Sequence, residues 1–184
     1  MAAWYGPRSV NGGIDEIPLP PPGLPGRLFL CGKHAIAPDP ATTLASVDAN
    51  VVVCLTHEHE LVDRYPAYVE WLRTNMPARA MWHPIADLHA PSEAVMVALV
   101  AALRARLSDG DRLVVHCAAG IGRSGTVAVA LLLSMGVPLD AATTTVRSHR
   151  PMAGPESGPQ RDLVVALSAR YRSLERPVLE RPTP

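Results

Sequence analysis

The chain has 184 residues, with 17 Lys+Arg balancing 17 Asp+Glu and 48% hydrophobic residues. Zero net charge excludes the global positive field that gathers nucleic acid or an anionic membrane, and the length suits one domain with a sizeable core. Three widely spaced cysteines, Cys31, Cys54 and Cys117, form neither a disulfide framework nor a zinc pattern, which predicts a reducing, cytoplasmic location.

Residues 1–26 are rich in Gly and Pro and read as an extended lead-in that packs on the domain through Ile14 and Ile17. Within them, residues 18–25 can adopt polyproline II, which leaves open a role as a ligand for a partner's aromatic groove. The N-terminus lacks the basic-then-apolar order of a secretion signal. Short apolar runs predict strands over 28–31, 51–55, 80–83 and 113–116. Helices are predicted over 40–48, over 61–73 with Pro66 ending or kinking it, and over 92–107, where Glu93 opens and Gly110 follows. A helix over 124–135 is apolar nearly all round and should be buried, far below the about 20 residues needed to cross a bilayer. Helices over 139–148 and 160–176 follow. The reading is therefore a domain over 27–176 and a flexible tail over 177–184. Strands alternating with helices predict an α/β fold, a central, mainly parallel twisted sheet with helices on both faces. Ligands then bind at the carboxyl ends of the strands.

The chemistry lies in His116-Cys117-Ala118-Ala119-Gly120-Ile121-Gly122-Arg123-Ser124-Gly125. Small residues between a strand and a helix let the loop curl with its N–H groups inward, an anion nest. Phosphate or another oxyanion would be held by the backbone of Ala118, Ala119, Gly120, Ile121 and Gly122, with Arg123 spanning two oxygens through its planar fork. Inward dipoles and a guanidinium favour a thiolate at Cys117, a nucleophile able to take a phosphoryl group as a cysteinyl-phosphate. The same donors stabilise transition-state charge, so no metal or other cofactor is called for. Ser124 can offer its hydroxyl to the sulfur as it leaves, and His116 orients the loop from beneath.

This run resembles the phosphate-binding loop of the cysteine-dependent protein tyrosine phosphatases. Upstream, His83-Pro84-Ile85-Ala86-Asp87-Leu88-His89-Ala90-Pro91-Ser92 resembles the acid loop of the compact dual-specificity and cyclin-dependent kinase inhibitor-associated phosphatases. The resemblance implies that Asp87 protonates the leaving oxygen and then deprotonates water; a turn-capping Asp is the alternative. Residues 150–160 resemble the late loop whose glutamine positions the hydrolytic water, here Gln160, unless that residue simply begins the last helix. Glu156 and Ser157 read as loop and cap residues.

The resemblance implies a dual-specificity-like protein phosphatase acting on phosphorylated protein or peptide, with phosphotyrosine and also phosphoserine or phosphothreonine as substrates. The loop lacks the lysine expected for a strongly anionic inositol lipid. A phosphoinositide or small-molecule phosphate monoesterase and a non-catalytic phosphoprotein-binding module stay open as alternatives. Neither nucleic acid nor membrane is an expected partner. His57-Glu58-His59-Glu60 has two alternate histidines but no third ligand at a telling spacing, so it reads as a surface loop or pocket rim before a metal site. Cys54 reads as a buried structural thiol, with a protective disulfide to Cys117 as its rival role.

Overall fold

The computed structural model describes residues 13–175. Strands β1 (Ile14–Ile17), β2 (Arg27–Gly32), β3 (Val51–Cys54), β4 (Ala80–Trp82) and β5 (Arg112–Cys117) form one sheet in the order β1-β2-β5-β3-β4. β2, β5, β3 and β4 are parallel, and β1 pairs antiparallel on the edge. β5 thus occupies the middle, and its continuous apolar run is what a strand covered on both faces requires.

Helices α1 (Lys33–Ile36), α2 (Pro40–Ser46) and α3 (Pro66–Asn75) precede α4 (Glu93–Ser108), α5 (Gly122–Ser134), α6 (Leu139–His149) and α7 (Gly158–Glu175). The pleat sorts the core into two layers. Leu28, Leu30, Val51, Val53, Leu113 and Val115 face the layer of α4 to α7, whereas Phe29, Cys31, Val52, Cys54 and Val114 face α1 to α3. Twelve of the thirteen residues of α5 are buried. Its end is closed by N–H groups of Gly136 and Val137 bonding back to Leu133 and Leu132, with Gly136 at φ +83°. No helix among the described residues is long and apolar enough to cross a membrane.

Three local expectations change. The extended lead-in goes further than packing through Ile14 and Ile17, since residues 14–17 join the sheet as a strand with Asp15 buried as well. The proline run turns back on itself through a bond from Gly23 N–H to the Pro20 carbonyl, instead of running on as polyproline II. Pro66 neither ends nor kinks a helix. It occupies the first turn of α3, where its missing N–H costs nothing, and residues 58–60 form a separate 3₁₀ turn.

Candidate active site

The loop between β5 and α5 sits at the carboxyl end of the central strand, with Gly32 of β2 opposite Cys117. Its carbonyls are drawn outward one after another. Those of Cys117, Ala118 and Ile121 accept from His116 Nδ1 (3.3 Å), Lys33 N–H (3.1 Å) and the N–H groups of Gly125 and Gly154 (2.9 and 3.2 Å). Those of Ala119 and Gly120 accept from Arg150 Nη2 (3.1 Å) and Nε (2.5 Å). A trans peptide points its N–H opposite to its carbonyl, so the N–H groups of residues 118–122 turn the other way, into a cup. Gly120 adopts φ +74°, and a Cβ there would lie 2.3 Å from the backbone of Cys31, so only glycine fits.

Cys117 is 3% exposed, and its sulfur lies 3.5 Å from the Ser124 hydroxyl. Beneath the loop, His116 is fully buried. The Cys117 carbonyl can only accept, so Nδ1 carries the hydrogen and Nε2 accepts from the Tyr68 hydroxyl at 2.7 Å. Burial pushes the His116 pKa down to about 4, only partly opposed by the bond to the Cys117 carbonyl. The imidazole is a neutral spacer that fixes the strand end.

Arg123 is the most constrained side chain of the site. Its Nη1 and Nη2 donate to the two carboxylate oxygens of Glu60 at 2.7 and 2.8 Å, and Nη1 also donates to the Ile85 carbonyl at 2.9 Å. The end of the fork, expected to span two phosphate oxygens, is therefore occupied by Glu60. The Nε–H is buried without a hydrogen-bond partner among the described residues, and Nη2 lies 3.2 Å from Asp87 Oδ1. The edge formed by Nε and Nη2 is what remains for an oxyanion. Burial raises the Glu60 pKa, but the hydrogen bonds from Arg123 and the His57 N–H outweigh it and leave the carboxyl below its usual range. Glu60 is set in place by the 3₁₀ turn and by Lys33 Nζ on its carbonyl at 2.6 Å. The His57 and His59 rings stack on each other at 5.4 Å, and among the described residues no three His, Cys, Asp or Glu side chains are arranged to hold a metal.

Asp87 hangs over this arrangement from a loop between β4 and α4, its side chain 71% exposed. The loop is turned by Leu88 at φ +59°, a strained conformation for a branched apolar residue. His89 Nδ1 donates back to the Asp87 carbonyl at 2.8 Å. Gln160 is buried: Oε1 accepts from Glu156 N–H at 2.9 Å and Nε2 donates to the His89 carbonyl at 3.2 Å, while the Thr126 hydroxyl, 3.4 Å from Oε1, gives its hydrogen to the Gly122 carbonyl at 2.7 Å.

The structure thus brings Cys117, Ser124, Arg123 and Asp87 together, makes Glu60 of the His57–Glu60 run the partner of Arg123, and adds Tyr68, Arg150 and Asp15, which sequence reasoning missed. Arg150 is 3% exposed and pairs with the equally buried Asp15 of β1 at 2.7 Å while holding two loop carbonyls. Its position after α6, followed by Pro151, was the one available signal. Cys54 lies beside His116 in register and shares its face of the sheet, one residue out of phase with Cys117. Its thiol contacts the Thr56 hydroxyl at 3.2 Å, and burial raises its pKa to about 11.

The family model described as the DSP-PTPase phosphatase domain of Swiss Army Knife proteins matches residues 24–171. No curated protein sequence matches significantly. Among solved structures, the active form of Tk-PTP is 27% identical with a TM-score of 0.60, over 79% of this chain and 92% of that one. Kinase associated phosphatase, with its catalytic-site cysteine replaced by serine, is 21% identical with a TM-score of 0.66, over 80% and 88%. The human tyrosine phosphatase-like serine/threonine/tyrosine-interacting protein is 20% identical with a TM-score of 0.67, over 86% and 97%. The last two likenesses speak for the fold alone. With a model match running from just before β2 into α7, the chain belongs to the DSP-PTPase phosphatase domain family, a compact dual-specificity phosphatase-like group.

Proposed function

We propose that this protein is a cysteine-dependent protein phosphatase that hydrolyses phosphotyrosine, and also phosphoserine and phosphothreonine, in cytoplasmic phosphoproteins. The observation that carries the reading is the succession of five outward carbonyls from Cys117 to Ile121, which leaves a ring of amide donors around one sulfur. In the first step the Cys117 sulfur attacks phosphorus, the ester P–O bond breaks, and Asp87 delivers a proton to the leaving oxygen. The amides of residues 118–122 and the Nε–Nη2 edge of Arg123 receive the equatorial oxygens, whose charge is greatest in the transition state. In the second step water attacks the cysteinyl-phosphate, Asp87 takes its proton, and Ser124 donates to the departing sulfur. The exposed acid loop suits an alkyl as well as an aryl leaving group.

Phosphate release from phosphotyrosine, phosphoserine and phosphothreonine peptides, set against soluble inositol phosphates, tests the assignment. The reading expects peptide turnover that vanishes in Cys117→Ser. Turnover of the inositol phosphates alone, or tight phosphopeptide binding without any release, contradicts it.

A further inference from the structure

We infer that Asp15, on the edge strand β1, is a positioning residue of the oxyanion cup, aiming the amides of Gly120 and Ile121 through Arg150. The inference rests on the phosphatase reading above. Of the five outward carbonyls, those of Cys117, Ala118 and Ile121 are bonded by the His116 ring or by backbone N–H groups. Those of Ala119 and Gly120 are both held by one side chain, Arg150, through Nη2 and Nε. The same two peptides carry the N–H groups of Gly120 and Ile121, which face the opposite way, into the cup. The orientation of one guanidinium therefore sets two of the amide donors.

A guanidinium is planar and rigid, so fixing one nitrogen fixes the line of the other two. The Nη1 end of Arg150 is fixed by the edge of the sheet. Asp15 Oδ2 accepts one of its two hydrogens at 2.7 Å, which leaves the other for the carbonyls of Gly13 at 3.2 Å and Leu30 at 3.4 Å. Asp15 is in turn placed by the β1–β2 ladder, where it stands opposite Leu30. Arg150 is 3% exposed and Asp15 2%, so water offers neither a substitute acceptor nor screening. A guanidinium stays ionised even when buried, and Asp15 is the carboxylate with which it pairs. With Asp15 removed, Nη1 keeps only its two longer contacts and the buried charge loses its counter-charge. The fork then turns away from Ala119 and Gly120, and the amides of Gly120 and Ile121 lose their aim.

Calorimetric titration of the full chain with tungstate, a tetrahedral oxyanion that accepts hydrogen bonds and cannot be hydrolysed, reads the cup independently of turnover. Variants are compared well below their melting transitions, so that a loss of stability alone leaves the binding constant unchanged. Asp15→Ala is expected to weaken tungstate binding about 10-fold, and to lower kcat/KM for para-nitrophenyl phosphate by a similar factor, the size of one hydrogen bond to a charged group. Asp15→Asn keeps an acceptor oxygen for Nη1 and is expected to lose only about threefold. In an Arg150→Met background, Asp15→Ala is expected to add nothing to either loss, because the path through the guanidinium is already cut. Tungstate affinity within twofold of wild type in folded Asp15→Ala overturns the inference. So does a further loss from Asp15→Ala on top of Arg150→Met. Should Asp15→Ala not fold, Asp15→Asn decides, with unchanged affinity as the contradicting result. A wild-type protein that binds tungstate but hydrolyses no phosphate ester strikes the phosphatase reading and leaves this inference to the binding data; one that binds no tungstate overturns both.

Discussion

Replacing Glu60 by Gln tests the most specific electrostatic feature of the site. The substitution preserves shape, removes one charge, and turns one acceptor oxygen into an NH₂ facing Arg123 Nη1 or Nη2. One of the two short bonds, at 2.7 and 2.8 Å, must be lost. Arg123 is 1% exposed in its side chain and Glu60 16%, so water repairs little of the damage. Breaking a buried pair by removing one partner costs about 3–5 kcal/mol, and a hydrogen bond to a charged group is worth about 1.5–3. The Ile85 carbonyl and Asp87 still accept from the guanidinium, which places the expected loss at about 2 kcal/mol, the lower part of that range. If the lost order falls on the Nε–Nη2 edge, kcat/KM for a phosphotyrosine peptide drops by roughly 30-fold at 1.36 kcal/mol per decade. Urea unfolding of the same variant should show a loss of similar size. A kcat/KM within twofold of wild type together with an unfolding free energy within about 0.5 kcal/mol of it would refute the claim that Glu60 sets the guanidinium.

The pH dependence of stability should carry a His116 signature. The folded pKa of about 4 lies below the ordinary 6.5, so in that interval the unfolded chain binds a proton that the folded one refuses. Stability is complete above 6.5 and falls as pH drops toward 4, by about 2 kcal/mol at pH 5; urea titrations of wild type and His116→Asn isolate the effect, and equal slopes contradict it. Arg150→Met should cost about 3–5 kcal/mol of stability by leaving Asp15 buried without that partner, and it should also raise KM as the Ala119 and Gly120 carbonyls are released; a KM unchanged in folded protein would deny Arg150 its hold on the loop. Asp87→Asn should depress turnover of phosphoserine peptide far more than that of para-nitrophenyl phosphate, whose leaving group needs no proton. Equal losses on the two substrates would make Asp87 structural.

The sheet and the oxyanion cup were legible because their causes are local. A β-branched run, five mostly small residues, an arginine and an apolar helix follow one another in sequence, and each dictates its neighbour's geometry. The acid loop was legible only through resemblance, since nothing local distinguishes Asp87 from a turn residue. The supports of the cup were not legible. Glu60 meets Arg123 across 63 positions, Tyr68 meets His116 across 48 and Asp15 meets Arg150 across 135. Each of these side chains sits in a segment whose own pattern points elsewhere. Glu60 belongs to a His/Glu run that reads as a surface loop or pocket rim, with nothing local to name Arg123 as its partner, and the charged Asp15-Glu16 pair hides an edge strand whose burial depends on a distant arginine. Gln160 was legible as a candidate through resemblance alone, and nothing local announced that its amide would also join the loop before α7 to the acid loop.

The most direct measurement is to identify the residue that carries phosphate during turnover. Wild-type protein is mixed with excess phosphotyrosine peptide, quenched in acid within milliseconds, digested and read by mass spectrometry. The account predicts one added phosphoryl group on the peptide containing Cys117, and neither adduct nor turnover in Cys117→Ser. Phosphate release that persists in that variant, or a phosphoryl group on any other residue, would contradict it.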